Sequence, residues 1–268
     1  MSKLALLGGK PVLDENSRLK TSWRQVPFDQ ALSEYVGAKY ARSVSSGTAA
    51  IASALVGVGV GAGDEVITTS YTWVATVSSI LHLNAIPVFA DISKETFCID
   101  PECVRRKLSS KTKAILAVDI YGHPARIREL TQIGRAEGIP VVEDACQAIT
   151  ASIDNAKVGG IADITTFSLA GKPIYSRYDC GGAYTTNREE YFNRALLAGQ
   201  HPFDIEENCN LPEASDLWTM GGLGHNYRLK STDALQNLWD ADVRARARRE
   251  NAEFLTSTLS EMEWITPP

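Results

Sequence analysis

Residues 113–120 read Lys113-Ala114-Ile115-Leu116-Ala117-Val118-Asp119-Ile120. Within them Ile115-Leu116-Ala117-Val118 is apolar without interruption, the pattern of a strand covered on both faces rather than one. Working outward, β-branched runs of similar length recur at 65–69, 86–92, 139–143 and 163–168. Segments of helical composition separate or follow them, at 48–58, 74–84, 100–109, 125–137 and 188–199. The segment at 131–138 ends on Gly138 just before Pro140, a helix stop. Strands that alternate with helix-length connections predict an α/β fold, a three-layer sandwich around a mostly parallel central sheet.

The 268 residues allow one or two domains and a large core. We read residues 1–30 as an extended arm, 31–230 as a large domain, and 231–268 as a long amphipathic helix leading toward a small domain. Residues 200–225 read as a long irregular loop. Hydrophobic residues at 44% and charged residues at 22% exclude disordered and fibrous classes. With 27 Lys+Arg against 32 Asp+Glu the net charge is −5, which leaves no electrostatic footprint for nucleic acid or an anionic membrane. The run at 51–60 is too short and too rich in glycine to span a bilayer, and the first nine residues are too briefly apolar for a signal peptide. Five scattered cysteines without a C-x-x-C pair point to a reduced, cytoplasmic protein.

Several motifs fail on inspection. Gly57, Gly59, Gly61 and Gly63 lack the glycine spacing of a dinucleotide fingerprint and stand after a helix instead of after a strand. Gly171-Lys172 lacks the upstream glycine and following hydroxyl of a P-loop. His82, His123, His201 and His225 are too dispersed to nominate a metal site.

Four features survive, each at a strand end or helix start, where open α/β sheets bind ligands. Ser45-Ser46-Gly47-Thr48 opens a helix, and its free N–H groups and hydroxyls suit a phosphate, although Ser and Thr there also serve as plain N-caps. Tyr71-Thr72-Trp73 offers an aromatic face, although Trp73 alone reads as a core residue. Glu143-Asp144-Ala145-Cys146-Gln147 offers a carboxylate for a protonated ring nitrogen, or a capping Asp. Phe167-Ser168-Leu169-Ala170-Gly171-Lys172 offers an amine near a hydroxyl, or a solvated lysine. Together they are the parts that hold pyridoxal 5'-phosphate: a phosphate cradle, a stacking ring, an acid and a Schiff-base lysine.

With these motifs in order, the sequence resembles the DegT/StrS-type sugar aminotransferase family, pyridoxal-phosphate enzymes of fold type I. The resemblance rests on Ser46–Ala50 (SGTAA), 63–68, 71–76, 87–91 and 142–148, and runs along nearly the whole chain. It implies that Gly47, Thr48 and Ser168 bind the cofactor phosphate and that Trp73 stacks on the ring. It implies that Asp144 pairs with the ring nitrogen, that Gln147 contacts the ring's phenolic oxygen, and that Lys172 is both Schiff-base lysine and general acid/base. His225-Asn226-Tyr227-Arg228-Leu229 resembles the segment that enters the neighbouring subunit, with Asn226 on that subunit's phosphate, which implies a homodimer with shared active sites.

The chain departs from the family pattern around the lysine. Lys172 stands four residues after Ser168 instead of five, with Pro173 in the usual slot, and Asp179-Cys180 replaces Gly-Glu before Gly181-Gly182. The pattern also continues past residue 268 into a small domain of about 100 residues. The expected activity is transfer of an amino group from glutamate or glutamine to a keto sugar, free or nucleotide-linked, or a cyclitol. The alternatives are another pyridoxal-phosphate reaction, elimination or cyclisation, and a catalytically degenerate partner subunit.

Overall fold

The computed structural model describes residues 28–170, 180–199 and 233–262. In chain order its elements are α1 (Phe28–Val36), β1 (Tyr40–Val44), α2 (Gly47–Gly57), β2 (Glu65–Thr69), α3 (Val74–His82) and β3 (Ile86–Ala90). Then come α4 (Pro101–Lys107), β4 (Thr112–Val118), α5 (Ile127–Glu137), β5 (Val141–Asp144), β6 (Ser152–Ile153), β7 (Ala156–Lys157) and β8 (Ile164–Ser168). The last are β9 (Gly182–Thr186), α6 (Glu189–Leu197), α7 (Asp233–Trp239) and α8 (Ala241–Leu259).

The apolar run at 113–120 is β4, buried from Ala114 through Val118 as a strand covered on both faces must be. It lies inside a seven-stranded sheet of order β1-β9-β8-β5-β4-β2-β3. All pairings are parallel except those of β9, which runs antiparallel to both β8 and β1. The three-layer α/β sandwich read from the sequence is the fold. On one face α2 and α3 cover Val66, Leu116, Val142 and Ile164, with Tyr191 of α6 packed alongside. On the other face α4 and α5 cover Ile67, Ile115, Ala117 and Val141. Phe28 and Leu32 of α1 meet Phe167, Ala183 and Leu238 beside them.

Local chemistry sets the element ends. Ser46 caps α2 by accepting the Ala49 N–H at 3.0 Å, and Asp100 with Pro101 opens α4. Gly138 closes α5 in the left-handed conformation, φ 69°. Asp154 and Asn155, both at positive φ, make the two-residue turn between β6 and β7.

Three features differ from the sequence reading. β1 and β9 carry no apolar run: Thr185 and Thr186 are buried by neighbouring strands and not by their own character, and Arg42 and Ser43 are half-buried in the same way. The single helix expected after Ser231 is two, broken at Asp240. Within it Arg244 is buried and paired with Asp240, while Phe254 and Leu255 are exposed. At the sheet's margin β3 leaves Ile86 and Phe89 open to solvent.

Gly182 marks the tightest backbone approach in the sheet. A Cβ there would collide with the Ser46 carbonyl and lie 2.7 Å from the Gly47 nitrogen. Gly182→Ala should therefore cost about 1–3 kcal/mol of stability in urea unfolding, as overpacking does. Gly61→Ala, at a normal φ with the nearest atom 3.9 Å away, should stay within about 0.5 kcal/mol of the parent. Equal losses at the two sites would refute the close-approach argument.

Candidate active site

The carboxyl ends of β4, β5 and β8 and the first turns of α2 and α3 enclose a cavity of about 370 Å³. Its walls include Ser46, Gly47, Thr48, Thr72, Trp73, Thr76, Val118, Asp144, Cys146, Gln147 and Ser168. A parallel sheet with helices on both faces places ligands at this end. A larger groove of about 740 Å³ lies at the opposite end, around the amino ends of β4 and β5, and contains none of these residues.

Asp144 is the floor. It ends β5, is almost fully buried, and has both carboxylate oxygens served: Thr76 Oγ1 donates to Oδ2 at 2.7 Å and the Cys146 N–H to Oδ1 at 3.2 Å. Burial pushes its carboxyl above the usual carboxylate range, against the pull of these two donors. Thr76 is itself held in place by Thr72 Oγ1 at 2.8 Å.

At one end the first turn of α2 faces in, with backbone N–H groups and a dipole that favour an anion. The reason Gly47 occupies the first position is steric: a Cβ there would press on Cys146 Sγ and Ser168 Cβ, both at 3.1 Å. At the mouth stands Trp73, 72% exposed, so it is not the core residue that its type alone suggests. Gln147 Oε1 accepts the Tyr121 N–H at 2.7 Å, which leaves its NH₂ as what the side chain can still offer. Tyr121 itself sits at φ 57°, a strained conformation for an aromatic residue, and its hydroxyl meets that of Tyr71 at 2.7 Å.

Six of the sequence-predicted residues thus line one cavity: Gly47, Thr48, Trp73, Asp144, Gln147 and Ser168. Lys172 and Asn226 lie outside the described residues. Thr76 was missed by sequence reasoning, although two threonines four residues apart at a helix start, Thr72 and Thr76, are close enough for their hydroxyls to bond. Among the described residues no cluster of His, Cys, Asp or Glu is arranged to hold a metal ion, and no helix is long and apolar enough to cross a membrane.

The model of the DegT/DnrJ/EryC1/StrS aminotransferase family matches residues 12–268. The chain belongs to this family. Over 249 residues it is 35% identical to the L-glutamine:2-deoxy-scyllo-inosose aminotransferase of Streptomyces lividus, which takes in 89% of this chain and 57% of that enzyme. The chain therefore spans little more than half the length of such a relative. Among solved structures, 3-amino-5-hydroxybenzoic acid (AHBA) synthase superposes with a TM-score of 0.76 at 27% identity, over 88% of this chain and 60% of that one. NtdA from Bacillus subtilis, solved with bound cofactor PMP, gives 0.69 at 27% identity, over 88% of this chain and 52% of that one.

In this member of the family the Thr76 hydroxyl makes the shortest hydrogen bond described for the buried acid, 2.7 Å. Thr76→Val removes a hydrogen bond to a charged group and should cost about 1.5–3 kcal/mol at neutral pH. The loss should shrink as pH falls and Asp144, its carboxyl raised by burial, takes up a proton and no longer needs the donor. Urea unfolding at several pH values, with Thr76→Ser as the conservative variant that restores stability, checks this. A loss independent of pH would assign Thr76 to packing alone.

Proposed function

We propose that this chain binds pyridoxal 5'-phosphate and catalyses transfer of an amino group from glutamine or glutamate to a keto cyclitol or keto sugar. The observation that carries the reading is Asp144, a buried carboxylate beneath a cavity bounded by a helix N-terminus and an exposed tryptophan. The residues fit the cofactor. Gly47 clears the space that a side chain would fill against Ser168, and the N–H groups of the α2 turn with the Thr48 and Ser168 hydroxyls suit a phosphate. Trp73 supplies a stacking face, Gln147 a donor for an oxygen on the ring, and Asp144 an anion for its nitrogen.

When bound, the cofactor supplies a carbonyl carbon that carries the amino group and a ring that withdraws electrons. The chain's own contributions are positional and electrostatic. Asp144 holds a proton on the ring nitrogen, with Thr76 and the Cys146 N–H keeping its carboxylate in place. Lys172, four residues beyond Ser168, is the amine that anchors the cofactor and moves protons at the reacting carbon. The S. lividus relative, named for glutamine and 2-deoxy-scyllo-inosose, supports a cyclitol as acceptor ahead of a nucleotide-linked sugar.

The reading extends to a cytoplasmic homodimer in which Asn226 reaches the partner's phosphate site. Its support is exposed apolar surface at the cavity mouth, where Trp73 of the wall, Val74 next to it and Tyr121, bonded to Gln147, are all exposed. Light scattering on the purified protein should return twice the chain mass; a monomer at micromolar concentration would overturn shared sites.

Mixing with pyridoxal phosphate should give a yellow absorption band that glutamine or glutamate bleaches. Lys172→Ala should lose the band, and Asp144→Ala should weaken cofactor binding by at least tenfold. A band that no donor bleaches, with turnover of another substrate, would replace transamination by elimination or cyclisation. No band in the parent protein would make the chain a degenerate partner subunit.

A further inference from the structure

Two carboxyls outside the cavity are buried with one oxygen each that makes no hydrogen bond among the described residues: Asp119 Oδ2 and Glu143 Oε1. Both residues are 0% exposed. Glu143 is in β5, and Asp119 stands one residue beyond β4. Ala117 and Glu143 are paired in register. Asp119, two residues on, therefore shares Glu143's face of the sheet, while Asp144 takes the other. Their remaining oxygens are served: the Ala125 N–H donates to Asp119 Oδ1 at 2.8 Å and Thr165 Oγ1 to Glu143 Oε2 at 2.8 Å.

On that shared face the two carboxyls neighbour each other, and each acts on the other's titration. Two carboxylates cannot bond, since each only accepts; one proton between them satisfies both orphaned oxygens at once. The other titratable groups acting here are Asp144, through the sheet, and the Cys98 thiol from the loop after β3. Thr165 of β8 and the Gly159 N–H add neutral donors to Glu143. Among the described residues no lysine or arginine acts on either carboxyl.

We propose that Asp119 and Glu143 share one proton and act as a positioning pair for Asp144. Three buried carboxyls compete for protons; the pair has oxygens that need one, and Asp144 has donors on both oxygens and needs none. The proton thus stays behind the sheet, and Asp144 faces the cavity ionised. The link to function rests on the proposed cofactor role of Asp144, whereas the shared proton itself does not.

Burial raises both carboxyls, Glu143 to about 7 and Asp119 as well. The folded chain consequently holds a proton that the unfolded chain has released above the ordinary carboxylate range. Stability contributed by that proton is full at low pH and is lost as pH rises through about 7.

The test combines infrared spectroscopy and thermal unfolding on the chain without added cofactor. The parent protein near neutral pH should show the stretching band of a protonated carboxyl. Asp144→Asn should keep that band, and Glu143→Gln should lose it. Glu143→Gln also places an NH₂ against Asp119 Oδ2, so its melting temperature should stop falling as pH rises from about 5 to 8. Asp119→Asn, the mirror variant, should behave alike if Glu143→Gln does not fold. Absence of the band in the parent protein, its loss in Asp144→Asn alone, or parallel pH curves for parent and Glu143→Gln would each overturn the shared proton. A failure of the cofactor reading is seen separately, as no yellow band on adding pyridoxal phosphate while the infrared band stands.

Discussion

The first turn of α2 reaches the strand ends only because side chains are missing there. Gly182 lies against the Ser46 carbonyl, Gly47 lies against Ser168 and Cys146, and Ser46 bridges to Gly181. With any Cβ at these contacts the helix would ride up from the sheet and take its N–H groups with it. The cavity would then lose its anion-favouring end while keeping its floor. The same approach explains why β9 belongs to the site although no side chain of it lines the cavity. Pairing with both β1 and β8, it fixes the level at which α2 begins.

Around that contact the interior accommodates acid without base. Asp144 relies on a hydroxyl and a backbone N–H, Asp119 on a backbone N–H, and Glu143 on a hydroxyl. Neutral donors of this kind add no charge of their own, so they hold the carboxylate without neutralising it. Among the described residues the ion pairs are elsewhere. Arg126–Glu129, Arg105–Glu102 and Arg194–Glu190 are short-range pairs on exposed helix faces, where each adds little. Lys157 of β7 and Tyr35 of α1 both bond Asp242 and tie α8 to those elements.

How much of this was legible in the sequence depends on where each segment's burial comes from. The span 65–69 coincides with β2, and the apolar run at 113–120 gave β4 to within two residues, because those strands carry their own apolar signal. β1 and β9 carry none, with Arg42, Ser43 and Thr185 inside them, and only long-range pairing makes them strands. The break at Asp240 was hidden because apolar spacing continues on both sides of it. In the site, Ser46 is the N-cap that its type suggested, and the motif still forms one wall of the cavity. Trp73 went against its type, since α3 begins immediately after it and turns the ring outward. The spacing of Thr76 from Thr72 is a local signal, but its bond to Asp144, sixty-eight positions away in the chain, is made only by the fold.

The outer margin of β3 has its own chemistry. Ile86 directs its N–H inward, to the Asp64 carbonyl at 2.8 Å. Alternation along a strand then turns the backbone of the next residue, Pro87, outward. A neighbour seeking to extend the sheet would find a missing rung there, since proline has no hydrogen to offer. Ile86 and Phe89 can stay apolar on this margin without making the sheet a template for endless growth. Whatever meets them does so through side chains, which select their partner by shape.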